Sequence, residues 1–487
     1  MASGILSAWP PVITDDQLAA LTLQATTYAL SHGLVYLPVA EVQPAAPTST
    51  IHAPLALFPS PIPRRLFTQA KRLQKIYNVL YARVASDVEL LDKIMGERGV
   101  GKVDEFTGQL WKRWKRLRES GVAQVEFNTI SSSFGTLSQR ASALHRYLYS
   151  STQYFEASSI LRAENLPDNT TTTGLAEGLK TAHNAYNTPG RAWILFVVQD
   201  NERNVFDQRW LEYELLEKHS IHVIRQTLEQ LATSSSVDPE SRTLRINSPA
   251  YPHAKNVEIA VVYFRAGYTP TDYPTSDFYD TRYRLESSRA IQCPSFQLQL
   301  AGGKKVQEVL TEPGVLERFL LDSSRWGPSA EAFTQADLDD VRASWMEMWS
   351  LDADGSNGLQ RTRDNALDLV LKPQREGGGN NVYKDAIPQF LDTLSESERE
   401  AWIAMRLIKT PQGLGNYLVR AGGAIEGVVK SEVISELGIF GWALFGGKDG
   451  RVEEKEVGWL LRTKGKESNE GGVAAGFSVL DSVVLVD

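Results

Sequence analysis

The residues best suited to chemistry lie in Lys372-Pro-Gln-Arg-Glu-Gly-Gly-Gly-Asn-Asn381. Gly377, Gly378 and Gly379 offer backbone N–H groups with no side chain in the way, and such groups can wrap a phosphate. Lys372 brings a point charge for phosphate oxygens. Glu376 is a hard oxygen donor and Asn381 a neutral one. Mg²⁺ at nucleotide sites is held by one or two carboxylates plus phosphates. The segment is not G-x-x-x-x-G-K-[ST], so it does not support a P-loop ATPase. Glycine triplets are more often plain surface turns, and both readings stay open on these residues alone.

A second cluster is Val125-Glu126-Phe127-Asn128-Thr129-Ile130-Ser131-Ser132-Ser133. In an extended strand Glu126 and Asn128 point to one face and Phe127 to the other. A carboxylate and an amide on one face suit a metal or a small polar ligand. The competing reading is a strand edge leading to a helix capped by one of the serines. A third set places cations beside tight turns: Lys304-Lys305 after Leu300-Ala-Gly-Gly, and Arg462-Thr-Lys464 before Val473-Ala474. The seven histidines (His32, His52, His145, His183, His219, His222, His253) show no metal-binding spacing. Neither a G-x-S-x-G elbow nor a G-x-G-x-x-G after a strand is present.

Elements must hold these groups. Residues 16–160 read as mainly helical, with Asp16 as N-cap of Gln17–His32. Phe106–Ser120 reads as an amphipathic helix with Leu110, Trp111, Trp114 and Leu117 on one face and a solvated basic remainder. Residues 191–300 alternate strand and helix: Ala192–Val198, Val205–Lys218, Ile221–Ile224, Thr227–Ala232 and Val257–Phe264. That rhythm predicts an α/β module with a mostly parallel sheet. Ligands in such sheets bind at the carboxyl ends of strands, which points to Asn201-Glu-Arg-Asn204 and Arg265-Ala-Gly-Tyr268. Residues 300–487 alternate strands, helices and glycine-rich loops, with a strand at Leu367–Lys372.

Composition narrows the class. At roughly 150 residues per domain, 487 residues make about three modules. Apolar residues at 42% and charged residues at 23% exclude a disordered tail, a collagen and a coiled-coil rod. A balance of 51 Lys+Arg against 59 Asp+Glu, net −8, argues against a general nucleic-acid binder. The lone Cys293 can form neither an internal disulfide nor a cysteine zinc site, and favours a reducing compartment, the cytoplasm. No apolar run reaches the ~18–20 residues of a membrane helix, so no membrane partner is expected.

Eight ordered segments together resemble one family, the eukaryotic glutathione synthetases of the ATP-grasp superfamily. They are Glu126–Gly135, Glu202–Gln208, Tyr263–Tyr268, Leu300–Gln307, Lys372–Asn381, Ile434–Gly441, Leu461–Lys464 and Gly471–Gly476. The resemblance implies an α/β (α+β) ATP-grasp fold. It would have a helical N-terminal region, an inserted parallel α/β substrate-binding domain and glycine-rich lid loops in the C-terminal half. The expected division is 1–190, 191–301 and 302–487. The implied activity joins γ-glutamylcysteine to glycine at the expense of ATP, through an acyl phosphate, in a homodimer.

Residue by residue, the resemblance makes Glu126, Asn128 and Glu376 the Mg²⁺ ligands. It makes Lys304 and Lys372 the phosphate contacts and, with Arg462, the catalytic cations. The rest of the ATP site would comprise Gly377, Gly378, Gly379, Asn380, Asn381, Tyr383, Met405, Arg406, Leu407, Ile408, Glu436, Lys464 and Glu470, with Glu126. The peptide would meet Ile130, Ser131, Ser132, Ser133, Glu202, Arg203, Asn204, Gln208, Arg265, Ala266, Gly267 and Tyr268. Arg462, Val473 and Ala474 would clamp a substrate carboxylate, a task suited to the planar guanidinium fork.

The chain departs from the family pattern in one place of consequence. An Arg-Ser-Asp-Tyr segment usually precedes the strand holding Glu126. Here Glu119-Ser-Gly-Val-Ala-Gln runs from the basic helix almost directly into Glu126. Glu470 also replaces a common aspartate, and Arg406 a common glutamate. Two alternatives follow: an impaired isoform or paralogue that keeps nucleotide binding and dimerisation, and a homoglutathione-type ligase accepting β-alanine or serine.

Overall fold

A computed structural model of the chain describes residues 9–39, 45–118, 129–186, 192–248, 255–351, 357–375, 380–422, 427–447, 450–467, 473 and 478–487. Three sheets organise it. The first has six strands. Trp193–Val197 lies between Val223–Gln226 and Val257–Phe264, all parallel. Ile291–Cys293 continues the parallel set on the far side of Val257–Phe264. Leu244–Ile246 and Ser235–Val237 close that edge antiparallel, so the sheet is mixed rather than purely parallel. Val257–Phe264 is almost wholly apolar because helices cover both faces, as a central parallel strand requires.

The second sheet has four antiparallel strands in the order Met348–Ser350, Trp402–Arg406, Leu369–Pro373, Val382–Tyr383. Directly paired residues share a face. Leu369, Leu371, Ala404 and Trp349 face one way and pack on the helix Ala386–Thr393 through Ile387 and Leu391. Val370, Lys372, Tyr383, Ile403, Met405 and Ser350 face the other way.

The third sheet is a closed barrel. It runs Gly415–Val419, Val428–Leu444, Glu453–Gly465, Ser478–Asp481 and back to Leu55–Ala56. The long hairpin Val428–Leu444/Glu453–Gly465 packs against the helices Arg64–Ser86, Gly135–Thr152 and Thr171–Ala185.

Several local expectations shift by one or two residues. The first helix is Asp15–Ser31, and its N-cap is Thr14 rather than Asp16. Thr14 and Gln17 form a reciprocal capping box, which satisfies two backbone donors where Asp16 could satisfy one. The basic helix is Glu105–Arg118. Leu110, Trp111 and Trp114 are buried as its spacing predicts. Its basic face is not simply solvated. Arg113 and Arg116 lie 4.9 and 4.6 Å over the rings of Tyr279 and Tyr283, on the neighbouring helix Ser276–Glu286.

One buried carboxylate sits in the barrel wall. Asp481 accepts hydrogen bonds from Ser60 Oγ (2.7 Å), Thr463 Oγ1 (2.6 Å) and the Ser482 N–H (2.6 Å), with no cation among them. Burial pushes its carboxyl up to about 7, against those hydrogen bonds. A raised pKa in the fold means stability that is full below the unfolded value near pH 4 and lost as pH rises through 7. Asp481→Asn keeps the shape and cannot ionise. The stability of the variant relative to the parent is expected to rise by about 2–3 kcal/mol between pH 5 and pH 8. Urea unfolding at both pH values reads this directly, and parallel pH dependence in the two chains would contradict it.

Candidate active site

The carboxyl ends of Trp193–Val197 and Val257–Phe264 lie side by side, and the chain leaves both along the same edge. Arg265 is the first residue beyond the second strand, and its N–H donates to Val197 O (2.7 Å). Its side chain is buried. The guanidinium donates to Ser132 O and to Ser133 Oγ and stands 3.7 Å from Asp207. Burial alone would lower its pKa, but the oxygens of Tyr263, Asp207 and Glu202 outweigh burial and leave it raised. Arg265 is therefore a fixed cation joining three segments distant in sequence.

Asp207 is the residue that the sequence did not reveal. The helix Gly135–Thr152 begins after Phe134, which has φ +68° and offers no side-chain cap. The expectation of a serine N-cap is thus corrected. Asp207 supplies the cap instead. It accepts the N–H groups of Phe134 (2.8 Å), Thr136 (2.9 Å) and Leu137 (3.1 Å), and the Thr136 hydroxyl (2.6 Å). A carboxylate at a helix N-terminus is favoured by the orphan donors and the dipole there. Asp207 so fixes both Arg265 and the turn Ile130–Ser133, in which Ser131 has φ +56°.

The loop after Trp193–Val197 is built around Glu202. It accepts the Asn204 N–H (2.8 Å) and Gln208 Nε2 (3.3 Å), while Gln208 Oε1 accepts from Arg225 (2.8 Å). Asn204 is buried, yet neither end of its amide has a hydrogen-bond partner among the described residues. Arg265 Nε is likewise buried and unpartnered. Unmet buried polar groups are costly unless something satisfies them. Arg203 turns away: its Nε donates to Leu37 O (3.0 Å). Ala266 is buried, and Asp272 accepts the N–H groups of Gly267 and Tyr268 (3.0 and 3.1 Å). Gly267 has φ +91°, a conformation that favours glycine.

A short helix connects this group to the lysines. Gln299, in Phe296–Ala301, donates to Gly267 O (2.8 Å) and accepts from Thr129 Oγ1 (3.4 Å). Gly302 leaves room for Thr129: a Cβ there would lie 2.4 Å from Thr129 Oγ1. Lys304 then opens the helix Lys304–Val309, which lies against the four-stranded sheet. Gln374 caps it by accepting the Lys305 N–H (3.0 Å). Lys305 itself is buried and bonded to Ser350.

The sheet face opposite its helical core thus presents Lys372, Tyr383 and Met405, with the Lys304 helix beside them. Asn381 Nδ2 donates to Tyr383 Oη (3.1 Å). Arg406 points to the other face and pairs with Glu347 (2.6 Å). Leu407 N–H is taken by Asp368 O, and Ile408 is exposed. Asn380 is also exposed.

The barrel carries the last set. Arg462 and Glu436 are direct cross-strand partners with an ion pair of 2.7 Å, and Lys464 Nζ is 3.9 Å from the same carboxylate. Their strand packs on the helix Gly135–Thr152, where Ser138 Oγ donates to Trp459 O (2.8 Å). Val473 is buried. Glu126, Asn128, Glu376, Gly377, Gly378, Gly379, Glu470 and Ala474 lie outside the described residues. Among the described residues no cluster of acidic, histidine or cysteine side chains could hold a metal ion. Likewise no described helix is long and apolar enough to cross a membrane.

A family model described as the ATP-binding domain of eukaryotic glutathione synthase matches residues 15–124 and 118–485. The sequence is 34% identical to the glutathione synthetase large chain of Schizosaccharomyces pombe, covering 97% of this chain and 98% of that one. It is 36% identical to the glutathione synthetase of Mus musculus, covering 98% and 99%. It is also 36% identical to the chloroplastic glutathione synthetase of Arabidopsis thaliana, covering 97% and 86%. In three dimensions it resembles the apo form of a glutathione synthetase-like effector from Globodera pallida. The TM-score is 0.70 over 98% of both chains at 22% identity, a likeness of fold.

Proposed function

We infer that this chain, which belongs to the eukaryotic glutathione synthase family, is an ATP-dependent ligase that makes glutathione from γ-glutamylcysteine and glycine. Near-full-length identity to curated synthetases carries the reading. Buried Arg265 with the unpartnered Asn204 amide supports a polar, anionic peptide as ligand. We propose the division 1–190, 191–301 and 302–487, the middle part holding the peptide.

In this reading the peptide lies along the strand ends, between Arg265, Ser131–Ser133, Glu202, Asn204, Gln208 and Tyr268. ATP lies against the sheet face of Lys372, Tyr383 and Met405, with Lys304 beside its phosphates. Arg406 borders the nucleotide through its backbone, since its guanidinium serves Glu347. The cysteinyl carboxylate oxygen attacks the γ-phosphorus, ADP leaves, and the glycine amine displaces phosphate from the acyl phosphate. The protein's work is alignment and charge neutralisation rather than proton abstraction. That accounts for a site of lysines and arginines with no histidine pair. Arg462, released from Glu436, would pair with a substrate carboxylate beside Val473 and Ala474.

The Mg²⁺ donor set Glu126, Asn128 and Glu376 is all oxygen, the chemistry that ion selects. When bound, it would offset phosphate charge. Leu23 and Leu30 on Asp15–Ser31, and Tyr213 and Leu216 on Val205–His219, are exposed. These exposed apolar side chains support the homodimer reading. A single cysteine in 487 residues supports a cytoplasmic setting.

One observation favours a second reading. The family match falls into two stretches that overlap at 118–124, and there Glu119–Gln124 stands in place of the Arg-Ser-Asp-Tyr segment that the resemblance leads one to expect. An isoform that binds ATP but turns over poorly would follow from a lost substrate arginine. Chromatographic detection of glutathione and ADP from purified protein separates the two readings. Parallel reactions with β-alanine and serine test the homoglutathione-type alternative.

A further inference from the structure

A segment docked onto the Glu202 loop carries one more buried polar group without a partner among the described residues. Tyr36 lies on the strand Val35–Tyr36, far from Glu202 in sequence, and is 1% exposed. Its hydroxyl has no hydrogen-bond partner among the described residues. The strand is docked onto the Glu202 loop by paired hydrogen bonds. Leu37 N–H donates to Arg203 O (3.0 Å), and Arg203 Nε donates to Leu37 O (3.0 Å). The Arg203 guanidinium also covers the Tyr36 ring at 4.7 Å. Arg203 is thereby tied to the tyrosine strand, while Asn204, the next residue, keeps an amide with both ends unmet.

Two buried polar side chains left unmet on adjoining segments need an explanation, because each alone costs stability. Phenylalanine would pack as well as Tyr36 without that cost. Burial pushes the Tyr36 hydroxyl up to about 12, with the Glu202 charge acting in the same direction and that of Arg203 against it. It is therefore a neutral donor at any working pH. A neutral donor on a strand docked to the loop that carries the Asn204 amide suits a carboxylate, and Glu202, whose charge acts on Tyr36, suits an ammonium. A free α-amino acid head carries both.

Resting on the glutathione synthase reading, we propose that Tyr36 is a further substrate-contacting residue, its hydroxyl donating a hydrogen bond to the α-carboxylate of the γ-glutamyl head beside Asn204. Tyr36 thereby helps to select a γ-glutamyl peptide over one lacking that carboxylate.

The test is Tyr36→Phe, which removes only the oxygen. KM for γ-glutamylcysteine is expected to rise about 5–20-fold, with kcat within about twofold and KM for ATP and glycine unchanged. Thermal stability should stay level or rise, since an unmet buried hydroxyl is lost. With 4-aminobutanoylcysteine, which lacks the α-carboxylate, parent and variant should show equal KM values. An unchanged KM for γ-glutamylcysteine would overturn the proposal. So would an equal rise with both peptides, which would mean that the hydroxyl shapes the wall without touching the carboxylate. If the parent chain makes no glutathione, the synthase reading fails instead. Calorimetric titration of both chains with γ-glutamylcysteine then still tests Tyr36, through the same 5–20-fold loss of affinity.

Discussion

Replacing Lys372 with methionine is expected to lower kcat/KM for ATP about a thousandfold while leaving the fold intact. Lys372 stands on the sheet face opposite the helix-covered core, in register with Ile403 and two residue pairs along from Tyr383 and Met405. Its neighbour Lys305 is committed to Ser350 and Glu308 inside the packing. Lys372 is therefore placed to neutralise charge that moves from the γ-phosphate to ADP. Methionine keeps much of the stem and removes the charge. Affinity for γ-glutamylcysteine should not change, because that ligand is held elsewhere. A loss below about tenfold would remove Lys372 from the phosphate site.

The second large effect belongs to Arg265→Ala. The change strips a buried cation from Asp207, Ser132 O and Ser133 Oγ together. Breaking a buried ion pair by deleting one partner typically costs about 3–5 kcal/mol, because the remaining charge stays buried and unpaired. Asp207 still has its helix N–H donors, so the expected loss is nearer 3 than 5, at about 3 kcal/mol in urea unfolding. Peptide binding should fall beyond detection even where the variant remains folded, since the turn Ser131–Ser133 loses its anchor. Arg265→Lys should recover part of the stability and little of the binding, because an ammonium cannot reproduce the fork. A stable Arg265→Ala chain with normal peptide affinity would contradict both the ion-pair account and the assigned role.

Sequence alone reached the strands best where burial on both faces left an apolar run. Val257–Phe264 has the limits that its composition predicts, because no alternation blurs its ends. The motif loops at the strand ends were legible for the same reason. Long-range pairings were not. Nothing local indicates that Leu369–Pro373 pairs with Trp402–Arg406 in a register that places Lys372 and Met405 on one face and Arg406 on the other. Asp207 escaped notice because helix caps are sought just before the helix, whereas this one comes from about 70 residues later. The arginines of Glu105–Arg118 looked solvated because their tyrosine partners sit on a helix far along the chain. In each case side-chain chemistry was readable and the partner was set by topology.

The most direct measurement is phosphate release by the purified chain with ATP, Mg²⁺, γ-glutamylcysteine and glycine, each omitted in turn. The account predicts release only when all four are present, at one phosphate per glutathione formed. Release that proceeds without γ-glutamylcysteine, or ATP binding with no substrate-dependent release, would contradict it. The second of those results would locate the fault at Gly121–Gln124, where the two stretches of family likeness meet.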